Sequence, residues 1–204
     1  MYETILNYIN GMENQDIKRL TEYIVSENKE KLLYYPAAKK NHHSIRSGLL
    51  YHILRMLKTG ESLADIYEFV NRDLLYAGII LHDMAKIEEM DSNELGIVSE
   101  YTMEGQLLGH LIQGIKNISK VSEKLGVSSE VSLLIEHMIL SHHYYPEYGS
   151  PKKPMIPEGQ LLHYIDTIDA NMYDMDKALK EVEATEFTGP IWTLDRTRLY
   201  KSSL

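Results

Sequence analysis

Apolar residues recur along this chain at three- and four-residue intervals, the spacing of one face of an α-helix. Ile17, Leu20 and Ile24 do so after Asn14, a residue type that caps helix N-termini. Leu49, Leu50, Ile53 and Leu57 follow Gly48, and Leu63, Ile66 and Val70 mark a further stretch. Leu74, Leu75, Ile79 and Ile80 lead into His82. Leu108, Leu111, Ile112, Ile115, Ile118, Val121 and Leu125 form the longest stripe, with Gly126 as its stop. Val131, Leu134, Ile135, Met138 and Ile139 begin after Ser128-Ser129 and run to His142. Leu161, Leu162, Ile165, Ile168, Met172, Met175 and Leu179 form the last long helix. Only Ile97 to Thr102 reads as a hairpin arm. The pattern predicts an all-α domain.

Turn-forming residues divide the chain. Tyr144 to Pro157 holds four of the six prolines and reads as a loop. Met90 to Gly105 reads as a second one. Residues 1–35 read as a helical appendage, too short for a core of their own. Residues 36–183 read as the main helical domain. Residues 184–204 read as a tail that packs on it and carries the only tryptophan, Trp192.

Composition narrows the function classes. The chain has 204 residues and a net charge of −9, which argues against coating nucleic acid by bulk charge. It has no cysteine, so disulfides, thiolate–metal sites and cysteine nucleophiles are excluded. The N-terminal residues lack a basic region followed by an apolar run, and no apolar stretch reaches the roughly 18 residues of a membrane span. The expected location is cytoplasmic, with no membrane partner.

Nine histidines remain as the chemistry-bearing residues. His52, the pair His82-Asp83, His110, the pair His142-His143, and Asp166 come from different predicted helices, at helix ends or beside apolar stripes. Side chains so placed converge only inside a bundle, where unpaired imidazoles and carboxylates are costly and a metal ion is the natural partner. Nitrogen and oxygen ligands without sulfur suit Mn²⁺, Fe²⁺, Co²⁺ or Zn²⁺. His142 shares a face with Ile135 and Met138 and points inward more surely than His143, which is either a ligand or faces substrate. His137 lies on another face, as an outer partner or a structural residue, and Asp169, one turn after Asp166, is placed to orient a ligand histidine.

The order of these elements, in GLLYHILRML, AGIILHDMAK, LLGHLIQG, ILSHHYYPEYGSP and LLHYIDTIDANM, resembles the HD superfamily of metal-dependent phosphohydrolases. Within it, PAAKKNHHSI, NRDLLYAGIILHDMAK, LLIEHMILSHHYYPEYGSPKKP and FTGPIWTLDRTRLYK resemble the catalytic part of YhaM-type 3′→5′ exoribonucleases, from about Leu33 to Tyr200. The resemblance implies an HD-domain helical bundle with two divalent ions between its helices, Mn²⁺ favoured. It implies that Asp83 bridges them, that His110 with His142 or His143 completes the second site, and that Lys86 faces the substrate phosphate. A salt bridge from Lys86 to Glu89 is the plainer alternative. The implied reaction is hydrolysis of a phosphodiester by water, with no protein nucleophile.

The implied substrate is the 3′ end of single-stranded RNA or a short oligonucleotide. His43 (with His42 beside it), Tyr144, Lys152 and Lys153 are candidate substrate contacts. Those exoribonucleases carry an N-terminal OB-fold domain, where this sequence has only a short helical segment. The rival readings are a hydrolase of a nucleotide or dinucleoside polyphosphate and a non-catalytic nucleotide-binding module. An oligomer is compatible with all three.

Overall fold

The computed structural model describes residues 1–39 and 43–204; His42 lies outside the described residues. Among these, nine α-helices follow in order: α1 (Tyr2–Asn10), α2 (Gln15–Glu27), α3 (Lys29–Leu32), α4 (Gly48–Ile66), α5 (Arg72–Leu81), α6 (Lys86–Glu89), α7 (Met103–Leu125), α8 (Ser129–Ser141) and α9 (Pro157–Lys180). The one sheet among the described residues pairs β1 (Met90–Ser92) with β2 (Val98–Tyr101), antiparallel, between α6 and α7. The fold is all-α, as the periodicity predicts.

Local chemistry sets the helix starts. The Asn14 side chain accepts from the backbone N–H groups of Asp16 and Ile17, and the Asn71 side chain accepts from Leu74. Thr102 caps α7 through Gly105, and Ser128 caps α8 through Val131. Each such cap satisfies a donor the helix itself leaves unpaired, worth about 1 kcal/mol. Gly126 stops α7 in the left-handed conformation.

Three differences from the periodic reading have physical reasons. Leu63 and Ile66 form the last turns of α4 rather than a separate helix, and Val70 is buried in the loop that follows. The segment Met90 to Gly105 is not an open loop: it is the hairpin plus the first turn of α7. The stripe on α7 is broken at Gly109, whose φ of 68° and ψ of 166° are non-helical. That region of backbone space is open essentially to glycine alone. The helix on its N-terminal side is therefore turned out of register, and Leu108 is exposed while Leu111 is buried.

The core is continuous from the N-terminal helices to the centre. Ile5, Ile9, Leu20 and Leu32 belong to the same buried cluster as Leu49, Ile53, Leu75, Ile79, Ile135, Met138 and Ile165. Residues 1–35 thus share a core with α5 and α7. A fully buried leucine or isoleucine contributes about 1.5–3 kcal/mol, so these helices form the rigid frame from which α4, α5, α8 and α9 point side chains inward. The second half of α9 leaves that frame: Ile168 and Met172 are half exposed although they continue the apolar stripe. The tail folds back as a small irregular ribbon, with bridges Phe187–Tyr200 and Ile191–Thr197 and with Leu194 buried.

Candidate metal centre

Two histidines reach the centre by the same local device. His82 follows α5 and His142 follows α8, each in the C-cap position. In each, Nδ1–H donates to the carbonyl three residues back: Ile79 O for His82 and Ile139 O for His142, both at 2.8 Å. That bond fixes the tautomer and leaves Nε2 with its lone pair aimed at the cavity. Both side chains are fully buried.

Asp83 sits between them, 2% exposed. Its Oδ2 accepts from Lys86 Nζ at 2.6 Å and lies 3.4 Å from His82 Nε2. Its Oδ1 makes no hydrogen bond, and it lies 3.4 Å from His110 Nε2 and 3.8 Å from His142 Nε2. Burial alone would raise its pKa, but the Lys86 ammonium and the His82 imidazole outweigh it and hold the carboxyl well below the usual range. Burial likewise disfavours the charged form of Lys86, and Asp83 reverses this, so Lys86 remains an ammonium. The sequence alternative of a Lys86–Glu89 salt bridge gives way to the Lys86–Asp83 pair.

Glu89 has a different task. Its Oε1 accepts from both the backbone N–H of His110 (3.0 Å) and His110 Nδ1 (3.1 Å). The glycine conformation at Gly109 turns the His110 N–H out of the helix toward that carboxylate. The result leaves His110 Nε2 facing Asp83. This pairing of a carboxylate with the rear of a ligand-type histidine is the usual way such a ring is oriented.

On the opposite side, His52 projects from the second turn of α4 between two carboxylates of α9. Its Nδ1 is 2.8 Å from Asp169 Oδ2, and its Nε2 is 3.2 Å from Asp166 Oδ1. Burial disfavours the imidazolium, but the hydrogen bonds to Asp166 and Asp169 and the charge of Asp83 prevail, raising its pKa to about 9. A cation is favoured at this point of the protein. Asp169 is a hub: it also accepts from His43 Nε2 at 2.7 Å and from Arg55 Nε at 2.5 Å. Burial opposes its charge, while His43, His52 and Arg55 hold its pKa below the ordinary range.

The structure therefore brings His52, His82, Asp83, His110, His142, His143 and Asp166 into one cluster. Ligand atoms lie within 4.8 Å of one another in the sets His52–His82–Asp83, His82–His142–Asp166 and His110–His142–His143. His143 is half-buried, and its Nδ1 is 2.6 Å from the Tyr148 carbonyl. Burial and neighbouring imidazoles lower the pKa of both His142 and His143. Neutral imidazoles are the form that binds metals. The buried atoms His82 Nε2, Asp83 Oδ1, His110 Nε2 and His142 Nε2 make no hydrogen bond. A cluster of converging lone pairs without donors fits a metal ion.

The remaining candidates lie around this set. His43 is fully buried against Asp169 and Tyr173, so it braces the hub rather than lining open space. Gly48 makes that possible: a Cβ there would lie 1.9 Å from the His43 carbonyl oxygen. Tyr144 stacks on His163, and Lys153 Nζ lies 4.7 Å from the Tyr144 ring centroid. Lys152 and Lys153 are exposed. His137 is not drawn into the cluster; its Nε2 accepts from the Met155 backbone N–H and anchors the loop before α9. Arg55 and Ser150 are partners that sequence reasoning misses, and the sequence does not pair Glu89 with His110 or His163 with His142. Ser150 Oγ accepts from His143 N–H, and His163 Nδ1 donates to the His142 carbonyl.

The HD domain family model matches residues 49–171, three fifths of the chain and all of the converging set. This chain belongs to the HD-domain family. HD domains are metal-dependent, which agrees with the donor set just described. Among curated relatives, the 3′-5′ exoribonuclease YhaM of Geobacillus sp. (strain WCH70) is 46% identical over 201 residues, 98% of this chain and 61% of that protein. The 3′-5′ exoribonuclease YhaM of Bacillus subtilis (strain 168) is 44% identical over 201 residues, 98% of this chain and 63% of that protein. This HD-domain chain thus spans less than two thirds of the length of these relatives. No solved structure matches it. No helix among its described residues is long and apolar enough to cross a membrane.

Glu89 offers a direct check of the geometry. Glu89→Gln keeps the shape but removes the charge that orients His110. Loss of such an outer partner weakens metal affinity by about 10–100-fold. Isothermal titration with Mn²⁺ reads this; unchanged affinity would mean that His110 does not bind the ion.

Proposed function

We propose that this chain is the hydrolytic domain of a 3′→5′ exoribonuclease that works with two divalent cations, Mn²⁺ favoured. The observation that carries the reading is Asp83: a buried carboxylate with one oxygen on Lys86 and the other, without a donor, facing two imidazole lone pairs. A donor set of this kind is suited to sharing one carboxylate between two ions. His52, His82, Asp83 and Asp166 would hold one; Asp83, His110, His142 and His143 would hold the other. When bound, such ions supply a water of lowered pKa and neutralise charge on phosphoryl oxygens.

The chain's own residues do the rest. Lys86, charged and fixed by Asp83, donates hydrogen bonds to a phosphoryl oxygen as negative charge develops there. Asp169 locks His52 in place, and Glu89 locks His110. The half-buried Tyr144, with Lys153 beside its ring and the exposed Lys152 next to Lys153 in sequence, forms an aromatic and basic strip beside His142 and His143. That is the chemistry of a single-strand groove. The names of the YhaM relatives support RNA as the polymer.

The test is an assay of the full chain with Mn²⁺ on 5′-labelled single-stranded RNA and on dinucleoside polyphosphates. A ladder shortening stepwise from the 3′ end is expected. Cleavage of the dinucleoside polyphosphate alone would move the reading to a small-nucleotide hydrolase, and hydrolysis of neither would leave a binding module. Neutralising both lysines (Lys152→Gln with Lys153→Gln) should flatten the slope of log affinity against log salt by about 1.4, since each single-strand phosphate contact contributes about 0.7. An unchanged slope would place the strand elsewhere.

A further inference from the structure

Outside the ligand set, a cleft beside the C-terminal ribbon holds the only tryptophan. It has a volume of about 660 Å³ and lies between α9 and the C-terminal ribbon, lined by Tyr148, Asn171, Asp174, Trp192, Asp195 and Arg196. Its size falls within the range of small-molecule sites. It is linked to the centre at two points. The Tyr148 carbonyl is the partner of His143 Nδ1, and α9 carries Asp166 two turns before Asp174.

Trp192 is the feature that demands a reason. It is the only tryptophan, and it is 76% exposed on a single 3-10 turn. Its ring is held there by construction. Asp195 and Arg196 are both left-handed, at φ of 52° and 61°, an uncommon backbone for residues other than glycine. The turn they make is tied by Arg196 N–H to Ile191 O (2.9 Å) and Thr197 N–H to Leu194 O (2.8 Å). It places the Arg196 guanidinium 5.1 Å from the indole centroid. The guanidinium covers one face of the ring, and three quarters of the residue is still exposed.

The charges in the cleft select the ligand. Asp174 and Asp195 outnumber Arg196, so a phosphate is disfavoured. A neutral, flat, hydrogen-bonding group is favoured, with the indole as its platform and Asn171 and Asp174 at its edge. We propose that this cleft is a nucleobase subsite, in which one base of the single-stranded substrate stacks on Trp192. The subsite rests on the exoribonuclease reading for its substrate, but not for its test. Sequence-tolerant stacking of this kind is how single-strand binders gain affinity without reading sequence.

Because Trp192 is the only tryptophan, its fluorescence reports the subsite directly. The probes are a phosphorothioate hexa-adenylate, which resists hydrolysis, and an abasic ribose-phosphate hexamer of equal charge, both titrated into the full chain with Mn²⁺. Saturable quenching by the adenylate and none by the abasic strand is expected. Trp192→Ala should weaken adenylate binding, read by anisotropy of a labelled strand, about tenfold, the scale of one lost base stack. Trp192→Phe should restore most of it. Equal responses to the two strands, or no response to either, would overturn the subsite even if RNA is hydrolysed. Quenching by the adenylate in a protein that hydrolyses no RNA would support the subsite while removing the exoribonuclease reading.

Discussion

Asp83→Asn should abolish metal binding and hydrolysis together while leaving the fold intact. The amide matches the carboxylate in shape, so no cavity forms. What changes is charge at a point that is 2% exposed and surrounded by Lys86, His82, His110 and His142. The Asn side chain presents either an N–H₂ that cannot bind a cation or a neutral oxygen that binds it weakly. Since removing an outer partner already weakens metal affinity by about 10–100-fold, removing the carboxylate proposed to be shared should exceed about 100-fold.

Lys86 loses its counter-charge at the same time, and breaking a buried ion pair can destabilise by about 3–5 kcal/mol. Circular dichroism and a thermal melt of the metal-free protein therefore accompany the metal analysis. Folded protein with near-normal metal content and rate would rule out Asp83 as the shared ligand.

Much of this centre is legible in the sequence, and the reason is burial. His52 lies between Leu49 and Ile53, and the pair His82-Asp83 follows Ala77-Gly78-Ile79-Ile80-Leu81, so periodicity alone sends them inward. The C-cap histidines inherit their position from helices whose apolar faces are easy to read. What is not legible depends on backbone conformation or on partners distant in sequence. Glu89 and His110 are joined only because Gly109 adopts a backbone that other residues avoid. Nothing in the apolar pattern marks that kink, and the stripe drawn through Leu108 and Ile112 runs across it although both are about two-fifths exposed.

The role of His43 is hidden for a similar reason. Its partner Asp169 lies 126 residues away on α9, where its carboxylate also pairs with His52 and Arg55 of α4. The choice between His142 and His143 does not resolve into one ligand, since both lie within reach of His110.

Divalent metal should be worth several degrees of thermal stability, and the size follows from the same atoms. Four buried polar atoms, His82 Nε2, Asp83 Oδ1, His110 Nε2 and His142 Nε2, have no hydrogen-bond partner. Each such group costs about 1–3 kcal/mol when left so. A cation that binds them only in the folded chain stabilises by about 2.7 kcal/mol at a hundred times its dissociation constant. For a chain of this length each kcal/mol moves Tm by about 2–4 °C, so saturating Mn²⁺ should raise Tm by roughly 5–11 °C, reversed by chelator.

One variant separates this from nonspecific ion binding to an acidic protein. His142→Leu replaces a buried, neutral imidazole, whose Nε2 is unpaired and whose Nδ1–H donates to Ile139 O, with an apolar group of similar bulk. In chelator its Tm should stay close to the parent's, because removal of the unpaired Nε2 offsets loss of the Nδ1–H bond to Ile139 O. With Mn²⁺ it should gain much less than the parent. The site is then a place where the chain gives up stability in the metal-free state in order to hold the ions. A parent Tm unmoved by either Mn²⁺ or chelator, or an equal gain in His142→Leu, would mean that these imidazoles do not meet on a metal.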